Sequence, residues 1–189
     1  MRRTIISAVS ALLLTATLAG AQQTADWRSV LQDRLRLYGH RNWIVVADSA
    51  YPAQSAQGVE TIVTDADHFA VLQTVMRAID ASKHVRPIVY TDRELAGLAE
   101  SDAPGISGYR DQLSAYLNSL ELRTPPVEKL LHEKIIAKLD EVSRTFNVLI
   151  LKTTMTMPYT SVFLELDCAY WSPEAERRLR SVLAAQSGR

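Results

Sequence analysis

The sequence predicts a three-layer α/β fold whose central sheet is mostly parallel. Short apolar runs rich in β-branched residues, such as Trp43 to Ala47 and Val148 to Lys152, alternate with helical segments of a dozen or more residues. Crossovers of that length join parallel neighbours and cover the sheet with helices. The run Trp43 to Ala47 is apolar throughout, which marks a strand buried on both faces. With 189 residues, 47% of them hydrophobic and 22% charged, the chain can build one such domain with its own core.

The first 21 residues read separately. Arg2 and Arg3 precede an apolar stretch, Ile5 to Leu18, that closes on Ala19-Gly20-Ala21. A charged start, a short apolar middle and a small-residue end describe a secretory signal peptide cleaved after Ala21. The stretch holds Ser and Thr and falls short of the ~20 apolar residues of a membrane span. The expectation is an exported, periplasmic protein with no membrane attachment after cleavage, and residues 22–189 as a single α/β domain.

A helix is expected from Asp26, its N-cap, to Tyr38, with Trp27, Val30, Leu31, Leu35 and Tyr38 on one face and Gly39 ending it. After the strand Trp43 to Ala47, Tyr51 to Gly58 is a polar loop. A strand Glu60 to Val63 leads to Thr64-Asp65-Ala66-Asp67, which caps a helix running to Ser82. Pro87 to Tyr90 reads as a third strand. The segment from Asp92 to Gly108 reads as irregular, with a helical turn near Arg93. A helix over Tyr109 to Leu120 and a brief strand over Glu121 to Arg123 follow.

Pro125-Pro126 suits the opening of the longest helix, about 126–145, since proline at the first helical position lacks only an N–H that would be unpaired there. Strands Val148 to Lys152 and Ser161 to Leu166 flank a loop containing Pro158-Tyr159. Ser172-Pro173-Glu174 then starts an added C-terminal helix, 172–185, by cap, proline and first-turn acid.

Composition removes several function classes. The formal net charge is zero with no basic block, so nucleic-acid binding has no electrostatic footing. The one cysteine, Cys168, excludes an intramolecular disulfide and reads as a buried or interfacial small residue. The sequence carries no glycine-rich nucleotide loop, no metal-ligand spacing and no nucleophile elbow, so neither metal nor cofactor is expected.

Titratable groups near strand ends remain. His40 stands just before the first strand, and its imidazole suits proton transfer near neutrality as well as it suits a helix C-terminus. Asp48 ends that strand, and taken alone it reads first as a turn or cap residue before Pro52. His68 and His84 read as helix-end residues. His132 shares a face with Ile136 and Leu139, and Tyr159 either points into a crevice or covers the core edge. Trp43 and Tyr51 are candidates for stacking on an apolar ligand face.

Gly39-His40, a strand, then Asp48-Ser49-Ala50-Tyr51-Pro52 resembles the opening motif of the D-ribose pyranase and L-fucose mutarotase family: Gly-His, a strand, then Asp-Ala and a proline four residues after the aspartate. The order of elements over about 26–167 is similar too. Leu120-Glu121-Leu122-Arg123 looks like the family's late strand, and Pro158 to Leu164 like its closing segment, where Tyr-x-Asn precedes an apolar strand. The resemblance implies that family's fold and a cofactor-independent isomerase that interconverts anomers or ring forms of a free monosaccharide. It implies His40 as proton donor and Asp48 and Tyr159 as sugar-binding residues. Ser161 falls on the family's asparagine, a hydroxyl in place of an amide.

For the family's further His or Tyr at the start of the long helix, alignment from Leu122-Arg123 gives Val127, whereas the local pattern His132-Glu133 matches later. His132 is carried as the second sugar-binding candidate. A straight strand rises ~3.3 Å per residue, so the eight residues from His40 to Asp48 separate these side chains too far to grip one hexose. Together with the family's interfacial sites, this predicts a homo-oligomer, a decamer in its specific form, with sites between subunits. The alternative is an exported sugar-binding or assembly protein of the same fold that does not catalyse.

Overall fold

The computed structural model describes residues 26–120 and 127–187. The expected signal peptide, the strand over Glu121 to Arg123 and the Pro125-Pro126 helix start lie outside the described residues. In chain order the elements are α1 (Trp27–Leu37), β1 (Trp43–Ala47), β2 (Val59–Val63), α2 (His68–Ser82), β3 (Val85–Asp92), a 3-10 turn (Arg93–Gly97), α3 (Ile106–Ser119), β4 (Glu128–Leu130), α4 (His132–Val142), β5 (Val148–Lys152), β6 (Val162–Cys168) and α5 (Pro173–Ser187).

The six strands form one sheet in the order β2-β5-β1-β6-β3-β4. β2, β5 and β1 pair in parallel, as do β3 and β4. Only β6 is reversed, and it lies antiparallel between β1 and β3. The sheet is thus mostly parallel, as expected.

Side-chain alternation divides the core by face. Ile44 and Val46 of β1 join Leu149 and Leu151 of β5 beneath α1, α2 and α3. Trp43, Val45 and Ala47 join Val148, Ile150 and Phe163 beneath Ile135 and Leu139 of α4. All five β1 residues are buried, which accounts for their uninterrupted apolar character. The sequence-legible caps are in place: Asp26 accepts from the Arg28 N–H, Asp67 from the Ala70 N–H and Ser172 from the Ala175 N–H. α5 stands outside both apolar clusters, with Leu179, Val182 and Leu183 exposed.

Two boundaries differ from expectation for physical reasons. The helix expected to be the longest, about 126–145, is the 11-residue α4, shorter than α2, α3 and α5, and it begins at His132 because Glu128–Leu130 extends as β4 and pairs with Tyr90–Asp92 of β3. Leu131 is the half-exposed N-cap of α4. β3 reaches Asp92, well past Tyr90, and α3 starts at Ile106 behind Gly105, whose φ of 93° is a glycine conformation. Gly58 is required by proximity: a Cβ there would collide with the backbone carbonyls of Ser143 and Phe146 just past α4.

Candidate functional site

The reversed strand brings several chain segments to one rim. β1 and β3 end on the same side of the sheet, and β6 begins there. Val162 pairs with Val46 of β1 and with Thr91 of β3. One residue further out, Ser161 therefore lies between Ala47 and Asp92, with Asp48 just beyond. Carboxyl ends of parallel strands are where open α/β sheets hold ligands.

Asp48 and Ser161 form a reciprocal pair. The Ser161 hydroxyl donates to Asp48 Oδ2 at 3.0 Å, and Ser161 Oγ accepts from the Asp48 N–H at 3.2 Å. Asp48 Oδ1 accepts from the Ala50 N–H at 2.9 Å, which is the turn role open to it in the sequence. Ser161 is buried and Asp48 half-exposed, so a carboxylate already oriented by two donors faces outward.

On the other side of Ser161 stands a second acid–base pair. His132 opens α4, and its Nδ1 lies 3.1 Å from Asp92 Oδ1. Asp92 is 2% exposed. Burial pushes its carboxyl up to about 6, against the pull of the neighbouring imidazole. An imidazole whose Nδ1 is held by a carboxylate keeps Nε2 for other partners. The Tyr159 ring meets that imidazole edge-on at 5.6 Å, and Tyr159 holds a left-handed φ of 57°. Such a conformation in a bulky residue is a strained one that surrounding contacts must impose. A cavity of about 680 Å³ opens beside the rim, and Asp92 lines it together with Thr91, Arg110 and Lys129.

Beneath the rim lies a buried layer. His68 is 0% exposed, and burial draws its imidazole down to about 4. The Tyr109 hydroxyl donates to the Thr160 carbonyl at 2.7 Å and approaches His68 Nδ1 at 3.5 Å, so α3 braces the segment between Tyr159 and Ser161.

The predicted residues thus divide. Asp48, Ser161, Tyr159 and His132 come together on one rim. His40 is exposed in the turn before β1, at the opposite end of the sheet; the adjacent Arg41 N–H reaches the Leu166 carbonyl near the far end of β6. The five residues of β1 span roughly 17 Å, and within one chain His40 does not reach the other four. His132 occupies the first helical position of α4, and Val127 lies just before β4. Trp43 is buried against Tyr90, and Tyr51 packs on Phe163, so neither offers an open face for stacking. His84 is structural, both ring nitrogens meeting the carbonyls of Ser82 and Tyr38 at the ends of α2 and α1.

Asp92 was missed in the sequence, although its signal equals that of Asp48: an acid at the carboxyl end of a buried strand. Among the described residues no group of His, Cys, Asp and Glu is arranged to hold a metal.

The mostly parallel sheet with one reversed strand, flanked by helices, is a fold shared with solved structures of RbsD and FucU. FucU from Bifidobacterium longum shares it at a TM-score of 0.51 and 12% identity, over 75% of this chain and 94% of that one. Bacillus subtilis RbsD complexed with D-ribose matches over 74% and 92% at a TM-score of 0.49 and 18% identity. The fucose mutarotase of Streptococcus pneumoniae in complex with L-fucose matches over 71% and 89%, at 0.44 and 20%. No family model matches the chain, and no curated protein matches it in sequence, so the likeness is one of fold.

Proposed function

We propose that this protein interconverts anomers or ring forms of a free monosaccharide by acid–base opening of the cyclic hemiacetal. The observation that carries the reading is the convergence of Asp48, Ser161, Tyr159 and the Asp92–His132 pair on one rim. The fold shared with FucU and the Gly39-His40 to Pro52 motif support it.

The chemistry needs little. A proton reaches the ring oxygen as another leaves the anomeric hydroxyl, the bond between anomeric carbon and ring oxygen breaks, and the free carbonyl rotates. Closure on its other face gives the other anomer; closure by a different hydroxyl gives another ring size. One positioned acid–base group contributes ~10²–10⁴-fold. Asp48 accepts sugar hydroxyls, with Ser161 holding its second oxygen; Tyr159 and His132 complete the grip, and His132 Nε2 takes the proton that leaves the anomeric hydroxyl. His40 delivers the proton from a neighbouring copy of the chain, whose β1 amino end meets this rim in a homo-oligomer. The protein works after export, in the periplasm, without a cofactor.

Magnetization-exchange NMR on ribose, fucose and galactose tests this. Faster exchange between anomers or ring forms, lost in His40→Ala and His132→Ala, is the expected result. Sugar-dependent shifts with no faster exchange leave a binding protein, and no response to any sugar overturns both.

A further inference from the structure

We propose that Glu94 is a positioning residue that, with Asp92, fixes His132 from two directions; the inference deepens the reading above and rests on it for its catalytic meaning. His132 is the first residue of α4, and its N–H is among the donors that a helix start leaves unpaired. Leu131, at the N-cap, has no side-chain acceptor to offer. Glu94 supplies one from far along the chain: both carboxylate oxygens lie within reach of the His132 N–H, at 3.1 and 3.0 Å.

Glu94 and Asp92 belong to one stretch. Asp92 ends β3 and Glu94 sits in the 3-10 turn that follows, Arg93–Gly97. One carboxylate holds the backbone of His132 and the other holds ring Nδ1. With backbone and ring both anchored, the torsions between them lose their freedom, and the Tyr159 ring closes a third side. Nε2 is left as the group that moves a proton. A negative charge at the amino end of α4 also suits the helix dipole. A cap taken from the residues flanking the helix would leave the imidazole free to swing; a cap from the turn directly after its ring partner does not.

The test needs no sugar at first. Long-range ¹H–¹⁵N spectra of the full chain are expected to show His132 as a single Nδ1–H tautomer with a sharp resonance. Glu94→Ala is expected to give a mixed or exchange-broadened tautomer, and Glu94→Gln, which keeps one acceptor oxygen, to stay close to wild type. With active enzyme, Glu94→Ala is expected to lower kcat about tenfold and leave KM little changed, as loss of orientation does. Leu131→Asp on the Glu94→Ala background restores a local cap; if it alone restores the single tautomer, Glu94 is only a helix cap and the proposal fails. An unaltered His132 spectrum in Glu94→Ala overturns it as well. A disturbed spectrum in a protein that accelerates no sugar exchange overturns the proposed function and leaves the positioning role standing.

Discussion

At its amino end β1 emerges from a turn in which His40 is exposed and Arg41 holds a φ of 72°. At its carboxyl end it runs into Asp48, whose carboxylate takes hydrogen bonds from Ser161 and Ala50 and stands on the same rim as the Asp92–His132 pair. The two ends belong to one short motif, yet only one of them is completed by its own chain. Asp48 is met by Ser161, just before β6, and by Ala50 in the turn after β1, and strand register sets the Asp92–His132 pair of β3 and α4 on the same rim. Around His40 nothing comparable is assembled. Under the proposed function the two ends act as half-sites, the His40 end of one copy meeting the Asp48 rim of another.

The sharpest way to break this comparison is to remove the assembled end. Asp48→Ala is expected to lower sugar exchange by ~10²-fold or more, since a pre-oriented acceptor and its Ser161 bond disappear together. Far-UV circular dichroism should be unchanged, because Asp48 lies beyond β1 and contributes no core contact. Full activity in Asp48→Ala would mean that the rim is not the site.

Mixing tests the unassembled end. His40→Ala and Asp48→Ala proteins are each expected to be inactive, and co-refolding them is expected to return activity. If each site takes His40 from one subunit and Asp48 from the next, random assembly leaves roughly a quarter of the sites intact. No recovery, with mixed oligomers verified by mass, would confine the chemistry to one chain and leave His40 without a role.

How much of this was legible in the sequence follows the same division. β1 and β5 were found to the residue because an unbroken apolar run has one physical reading, a strand buried on both faces. Asp48, Tyr159 and Ser161 were singled out through the family resemblance, and the fold brings them to one rim. β4 was not found, since Glu128-Lys129-Leu130 is too short and too charged to show a period and only its pairing with β3 makes it a strand. Asp92 and Glu94 carry no motif; their meaning comes from the partner 40 and 38 residues away. His68 read as a first-turn helix residue, and nothing local announced that α3 would bury it.

The buried layer offers a stability test. Asp92 has a raised carboxyl, so between about 4 and 6 the folded state binds protons more readily than the unfolded chain, and stability is lost as pH rises through that window. His68 is lowered to about 4 from the usual value of 6.5, so the folded state binds fewer protons there and stability is lost as pH falls through 6.5. The two slopes oppose each other. Asp92→Asn is expected to raise stability at pH 8 by on the order of 1 kcal/mol, because it removes an ionised group from a buried place. It should also expose the His68 slope as a steeper loss of stability toward pH 4. Thermal melts at pH 8, 6 and 4.5 check both, and a variant less stable at pH 8 would mean that the bond to His132 outweighs the burial of the charge.

Among the rim substitutions the smallest effect on sugar exchange is expected at Ser161. Ser161→Ala removes one hydroxyl bond to Asp48 Oδ2 and one acceptor for the Asp48 N–H, in a position that is 2% exposed. The carboxylate keeps the Ala50 N–H, so it stays oriented by one donor instead of two. A hydrogen bond to a charged group contributes roughly 1.5–3 kcal/mol, and the low end applies where water can take the vacated oxygen. Exchange should slow by about tenfold, with most of the loss in sugar affinity, because the pair shapes the binding carboxylate and moves no proton. Ser161→Asn places a longer amide against Asp48 and should recover binding only if the rim yields room. A loss in Ser161→Ala as deep as that in Asp48→Ala would show that the hydroxyl itself, more than the carboxylate it orients, meets the sugar.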